Sequence, residues 1–354
     1  MTGYDDIRET VLTRCQEALP TWRHLTTADF DFDDPKGFSS FTIGVRAREP
    51  IDPPAVLYRQ LAGKENAILD FATEREVFLL LGEADIAAHC LYYDETCRIE
   101  EFYSGRTLTA EDVFDPELQR GVANELHRFH QLEPEQLPEA TFFELLTDQW
   151  GEIARSVLTE GRAAFPANEQ QLCADLEVIY SPSTVAKVLG CLPEGSPVFC
   201  HNDTYHGNTF LLDDGTVKLL DFEFSCLNHP AFDFANFFAE TVMEHGFEEP
   251  PHFRIAAPRF TDDDLRVFIG FYLENTEFRS QDDHDAELSR LVDDTRRALM
   301  LSDYMYAMAA LPLALEPIQK IRFIPYAHQR FHKFLEAWDH EFARPTPTGR
   351  GATP

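Results

Sequence analysis

His201, Asn202, Asp203, Thr204, Tyr205, His206, Gly207 and Asn208 run consecutively, and Asp221-Phe222-Glu223 begins thirteen residues after Asn208. An aspartate, an asparagine five residues on and a second aspartate after a short hairpin form the set that phosphoryl transfer from ATP needs. Asp203 can orient an acceptor hydroxyl and take its proton. Asn208 and Asp221 can hold Mg²⁺ against the nucleotide phosphates, because phosphates carry dense negative charge and hard cations prefer oxygen ligands. The residues point to a kinase of a small hydroxyl-bearing molecule. A lone His-x-Asp or Asp-x-Glu would read as a polar loop beside a hairpin; spacing, order and hairpin together separate this stretch from that reading.

Local elements must bring these residues together. Ser196 to Cys200 is a short apolar run that predicts a buried strand, and it ends where the polar cluster begins. Thr209–Leu212 and Thr216–Leu220 are two more apolar runs, and Asp213-Asp214-Gly215 between them is turn chemistry. The hairpin so formed places Asn208, at its start, beside Asp221, at its end. Two ligands of one metal must be neighbours in this way.

The chain has 354 residues, more than one core usually serves, so two lobes are expected. No apolar run approaches the ~20 residues of a membrane span, and the N-terminus lacks the basic-then-apolar pattern of a signal peptide. Seven cysteines lie scattered without a Cys-x-x-Cys pair, which argues for reduced thiols, a cytoplasmic location and no zinc site. The formal net charge is −32, and only six of the 30 basic residues are lysine. Such a surface repels nucleic acid and anionic membranes and attracts cationic substrates. A cytoplasm of very high salt and an ordinary acidic protein both account for this composition.

Residues 4–19 carry a helical stripe, 28–60 read as strands broken by turns with a Pro-rich connector at 50–54, and Glu74–Gly82 reads as a helix. Cys97–Tyr103 is a predicted strand running into a hinge at Ser104-Gly105. Beyond Ala110 the helix candidates are 117–132, 140–160, 168–190, 263–278, 286–312 and 325–343. The expected fold is α+β and bilobal: a small β-rich N-lobe over 1–103, a large mainly helical C-lobe over 104–343, and a Pro- and Gly-rich disordered tail over 344–354. A small mixed lobe followed by a large helical one is the plan of protein-kinase-like folds.

Five stretches in order resemble the choline/ethanolamine kinase family, a branch of the aminoglycoside-phosphotransferase-like kinases. Val198–Asn208 resembles the catalytic loop and Leu220–Phe224 the metal-binding segment. Asn228 with Phe232–Glu240 resembles the segment that follows, Arg98–Phe102 the hinge strand, and Leu126–His130 a helix of the large lobe. The resemblance implies ATP and Mg²⁺, with a small cationic amino alcohol, choline or ethanolamine, as acceptor. It leaves a homodimer open. An aminoglycoside or other small-molecule kinase of the same fold is the alternative. A nucleotide-binding pseudokinase acting as an interaction protein is a reading of another class, and the intact Asp203, Asn208 and Asp221 argue against it.

Roles follow residue by residue. Asp203 is the expected base, Asn208 and Asp221 the metal ligands, and Glu223 a further metal contact or a counter-charge for the substrate. His201 is expected to fix the loop by hydrogen bonding. Arg59, with its planar donor fork, stands where it can engage ATP phosphates, and Glu74 on the next helix is its expected partner. Ser39 and Ser40, in the turn Gly37–Ser40, resemble the phosphate-covering loop, although the family has two adjacent glycines and an asparagine there. The backbone from Glu101 to Tyr103 is expected to hold the adenine. Phe224, Tyr306, Phe323 and Tyr326 are candidate aromatic walls for an ammonium group, and Glu240 and Glu223 candidate counter-charges. Ala309 and His245 stand where the family has a tryptophan and a tyrosine. Aromatics at helical spacing are equally ordinary core residues.

Overall fold

The structure, a computed structural model, describes residues 2–34, 41–61, 68–316 and 321–342. Ser39, Ser40 and the 344–354 tail lie outside the described residues. Helix α1 (Thr2–Ala18) is followed by strands β1 (Phe30–Phe32), β2 (Phe41–Ala47) and β3 (Ala55–Gln60). Helix α2 (Phe71–Glu83) leads to β4 (Cys90–Tyr93) and β5 (Cys97–Glu101). The five strands form an antiparallel sheet in the order β1-β2-β3-β5-β4. In β3, Val56 and Tyr58 are buried while Leu57 and Arg59 are only half-buried, the alternation a pleated strand imposes. Val11, Leu12 and Cys15 of α1 join Trp22, Phe30, Ile43, Val45, Val56 and Ile99 in a small core.

Asp70 caps α2, its carboxylate accepting from the Thr73 N–H at 2.8 Å. The apolar face of α2, through Val77, Phe78 and Leu81, belongs to a second, much larger core built mainly from helices. After β5 the chain forms β6 (Gly105–Thr107), then α3 (Pro116–His130), α4 (Phe142–Thr159), α5 (Ala167–Leu176) and α6 (Pro182–Leu189). Next come β7 (Val198–Cys200), β8 (Thr209–Leu212), β9 (Val217–Leu219) and β10 (Cys226–Asn228). Helix α7 (Pro230–Ala239), strands β11 (Met243–His245) and β12 (Phe253–Ile255), and helices α8 (Asp262–Leu273), α9 (Gln281–Leu313) and α10 (Phe323–Phe342) complete the chain. Strands β6, β8 and β9 make one small sheet, and β7 pairs with β10.

The fold is the expected one, a β-rich N-terminal part and a mainly helical remainder. Two local differences have plain causes. The helix expected over 168–190 is two helices, because Ser181 is extended and Pro182 opens a new helix, with Ser181 Oγ accepting from the Thr184 N–H. Helix α7 was not among the candidates, since every residue from Ala231 to Ala239 is buried and its polar residues, Asp233 and Asn236, are buried with the rest, so no exposed polar face marks it as a surface helix. Gly105 opens β6, which pairs with β8. It adopts φ +152°, and a Cβ there would sit 2.1 Å from the Leu211 carbonyl oxygen, so only glycine fits.

Candidate active site

The loop from His201 to Asn208 is held from below by one buried carboxylate. Asp233 on α7 accepts from the backbone N–H of His201 at 2.9 Å and of Asn202 at 2.7 Å, and binds His130 Nε2 at 2.9 Å. Burial pushes the Asp233 pKa up, but the His130 hydrogen bond and nearby imidazoles outweigh it and hold it below its ordinary value. Asn202 takes a left-handed φ of 64°, a conformation asparagine tolerates, and its side-chain amide donates to the Phe224 carbonyl at 2.9 Å. His201 Nδ1 accepts from the Asp203 N–H at 3.2 Å, so Nε2 carries the proton and donates to the Leu220 carbonyl at 2.9 Å. Burial lowers the His201 pKa. Both ring nitrogens are thus occupied in joining the loop to the hairpin.

The hairpin forms in the expected register, with Thr209 opposite Leu219. The Leu220 N–H donates to the Asn208 carbonyl at 2.8 Å, which sets Asn208 beside the segment that starts at Asp221. Asp221 itself has φ 64°. Asn208 Nδ2 donates to Asp203 Oδ2 at 2.7 Å and to the Asp203 carbonyl at 3.1 Å. Its amide oxygen therefore points away from Asp203. Tyr306 Oη donates to the other carboxylate oxygen, Oδ1, at 2.7 Å. Burial raises the Asp203 pKa well above the usual carboxylate range; the Tyr306 bond opposes this, and the charges of Asp221, Glu223 and Glu240 add to it.

Arg59 reaches this acidic group from the N-terminal sheet. Burial works against its charge, but Glu100, Asp221 and Glu223 outweigh that and raise its pKa. From sequence its expected partner is Glu74. The partner found on it is Glu100 on the neighbouring strand β5, at 3.3 Å, and Glu100 also accepts from Arg98 Nε at 2.7 Å. Sheet register brings Glu100 there, as β3 pairs directly with β5; Glu74 on α2 accepts from Tyr93 Oη at 3.4 Å. Glu101 closes β5 and is exposed, with its N–H donating to the His89 carbonyl at 2.9 Å. Tyr103 lies tilted against Phe210, ring centroids 6.3 Å apart.

On the opposite side, α7, α9 and α10 supply a buried polar knot that sequence reasoning missed. Arg330 is fully buried, bridging Asp303 Oδ1 at 2.8 Å and Glu240, with its Nε donating to Tyr326 Oη at 3.1 Å. Its guanidinium stands 5.2 Å from the ring centroids of both Tyr306 and Tyr326. Glu240, expected as a counter-charge for the substrate, already has a cation of its own. Tyr326 also meets Phe253 edge-on at 5.3 Å, and Phe323 is buried in the large core. Phe224 packs at 5.5 Å from Trp150 and 6.1 Å from Phe142, so its ring is part of core packing under the loop. The signal for Arg330 was its place four residues after Tyr326, on a helix face otherwise carrying Phe323, Ala327, Phe331 and Phe334.

The donors suit a hard cation. Asn208 offers an amide oxygen, and Asp221 and Glu223 offer carboxylates, while Arg59 is the basic group whose charge they share. Mg²⁺ is commonly held by one or two protein oxygens together with substrate phosphates, which this donor set matches. Among the described residues, the three ligand atoms that already cluster within 4.8 Å are those of His130, Cys200 and Asp233. They form a scaffold: His130 is hydrogen-bonded to Tyr272 and Asp233, and burial pushes the Cys200 thiol pKa up, away from the thiolate a metal needs.

The sequence profile of choline/ethanolamine kinases matches residues 36–335. A rat choline/ethanolamine kinase is 24% identical over 296 residues, covering 80% of this chain and 73% of its own. Among solved structures, a choline kinase from Cryptosporidium parvum superposes with TM-score 0.74 at 19% identity, covering 95% of this chain and 96% of its own. An ADP-bound aminoglycoside phosphotransferase gives a TM-score of 0.56 at 13% identity, with 93% and 98% coverage.

Proposed function

The chain belongs to the choline/ethanolamine kinase family, and from that premise we propose that it transfers the γ-phosphoryl group of ATP, with Mg²⁺, to the primary hydroxyl of a small amino alcohol, choline or ethanolamine. The observation that carries this reading is the Asp203 carboxylate, held on one oxygen by Asn208 and on the other by Tyr306. A carboxylate fixed on both sides is poised to accept one proton in one direction. Asn208 and Asp221 would hold Mg²⁺, with Glu223 beside them, and the bound ion would neutralise charge on the phosphates. Arg59, oriented by Glu100, would engage phosphate oxygens from the sheet side. The Glu101 N–H is committed to His89, so the backbone at Phe102 and Tyr103 would meet the adenine edge.

The acceptor side favours a cation by charge balance. Asp203, Asp221, Glu223, Glu240 and Asp303 outnumber Arg59, Arg330 and Lys333. No covalent phosphoenzyme is needed, because donor and acceptor can be aligned directly. The lobe boundary falls between Tyr103 and Ser104 in this reading, after the last strand of the five-stranded sheet, with the N-lobe over 1–103 and the C-lobe over 104–343. No helix among the described residues is long and apolar enough to cross a membrane, and a cytoplasmic location, where ATP is supplied, fits the chemistry. The test is ATP turnover with a panel of choline, ethanolamine, amino sugars and aminoglycosides. Turnover highest with an amino alcohol supports the proposal; turnover with an aminoglycoside alone, or with none of the panel, overturns it.

A further inference from the structure

We propose that Tyr306 is a positioning residue that acts through its hydroxyl, fixing the Asp203 carboxylate in the direction from which it meets the acceptor, and that Ser302 and Asn236 set the direction of that hydroxyl's proton. This rests on the reading of Asp203 as the proton acceptor of the proposed kinase. It gives Tyr306 a role distinct from an aromatic wall for a cation.

The donor order follows from chemistry. To accept the acceptor's proton Asp203 must be in its ionised form, which has no proton to give, so across the 2.7 Å contact with Asp203 Oδ1 the donor is Tyr306 Oη. A phenol has one proton. Asn236, whose amide lies 3.2 Å from the same oxygen, must therefore present its NH₂ group to Tyr306. That orientation turns the Asn236 carbonyl toward Ser302, and Ser302 Oγ donates to it at 2.7 Å. Ser302 and Asn236 are both fully buried, so bulk water does not compete for these bonds. The series runs in one direction, from Ser302 through Asn236 and Tyr306 to Asp203.

Placement reinforces the series. Ser302 and Tyr306 sit four residues apart on one face of α9, and Asn236 lies on α7, which packs against it. Asn208 holds Oδ2 at 2.7 Å while Tyr306 holds Oδ1. The terminal torsion of a carboxylate is otherwise broad, so donors on opposite oxygens restrict it to one plane. The ring of Tyr306 is itself steadied by the Arg330 guanidinium, 5.2 Å from its centroid. Without Ser302, the Asn236 amide could turn over and accept the Tyr306 proton, leaving Asp203 Oδ1 unpaired.

The test compares Tyr306→Phe, Ser302→Ala and the double variant in steady-state kinetics with Mg·ATP and the amino alcohol the wild type turns over, beside thermal melts. Tyr306→Phe keeps the ring and removes only the donor. Its kcat should fall about ten- to a hundred-fold, the range for losing a hydrogen bond to a charged group, with both KM values within about two-fold of wild type. Ser302→Ala should lose several-fold in kcat alone, and should cost nothing further in the Tyr306→Phe background, because no hydroxyl is left to orient. A Tyr306→Phe kcat within two-fold of wild type overturns the proposal. So does an unchanged kcat with a raised amino-alcohol KM, which would make Tyr306 a wall. Additive losses in the double variant would break the series. A wild type that turns over none of the amino alcohols removes the kinase reading itself, and is distinguished from these outcomes because there the wild type is active.

Discussion

Arg330→Met removes the cation at the centre of the polar knot while keeping most of the apolar stem. In the structure Arg330 is 0% exposed and joins two carboxylates, Glu240 at 6% and Asp303 at 9% exposure. Asp303 would retain Lys333 at 3.3 Å, but Glu240 would lose its direct cation. Breaking a buried ion pair from one side costs about 3–5 kcal/mol. With Lys333 sharing the load, the lower part of that range applies, a fall in melting temperature of about 4–5 °C for a chain of this size. Burial already pushes the Glu240 pKa up, with Arg330 opposing it. Without Arg330 the carboxyl is pushed further up. A carboxyl whose folded pKa exceeds its unfolded one destabilises above the unfolded pKa, so the deficit should be larger at pH 8 than at pH 5. Adding Glu240→Gln to Arg330→Met should restore part of the loss. Thermal melts of the three variants at two pH values test this. Arg330→Met melting within about 2 °C of wild type, or a double variant with no recovery, would refute the reasoning.

Asp221→Ala should abolish Mg²⁺-dependent ATP binding in calorimetry and Asn208→Ala should weaken it, since each removes an oxygen proposed to hold Mg²⁺ against the phosphates; unchanged affinity in Asp221→Ala rejects the metal assignment. The −32 charge predicts a melting temperature that rises from low to multimolar KCl, as the Debye length shrinks from ~10 Å at 0.1 M to ~3 Å at 1 M. Exposed pairs such as Arg106–Asp112 and Arg259–Glu111 lose attraction in the same salt, but each is worth little, so a flat or falling curve would contradict the repulsion account. Asp233→Ala should leave the buried N–H groups of His201 and Asn202 and the Nε2 of His130 unpaired, costing about 3–5 kcal/mol, and a variant melting like wild type would remove Asp233 as the anchor of the loop. Because the folded pKa of Asp233 is depressed, its stabilisation is present above the ordinary carboxylate pKa and fades as pH falls through the folded value.

Local signals carried the hairpin and the loop. Asp213-Asp214-Gly215 between two apolar runs is strong local turn chemistry, and the hairpin it closes pairs Asn208 with Leu220, next to Asp221. The partners that fix the loop were harder to read, because they come from distant chain positions. Asp233 is 32 residues from His201, on a helix buried on every side. Glu100 was missed as a partner of Arg59 because strand pairing is not written in either strand alone. Arg330 and Asp303 sit on apolar helix faces, where periodicity reports burial but not which carboxylate meets which cation.

The most direct measurement follows the product. Wild-type protein with Mg·ATP and choline or ethanolamine is analysed by ³¹P NMR, beside Asp203→Asn tested for ATP binding. The account predicts a phosphomonoester of the amino alcohol in equal amount to ADP, and an Asp203→Asn variant that folds and binds ATP but loses most turnover. ATP converted only to ADP and inorganic phosphate, or near-normal kcat in Asp203→Asn, would contradict it.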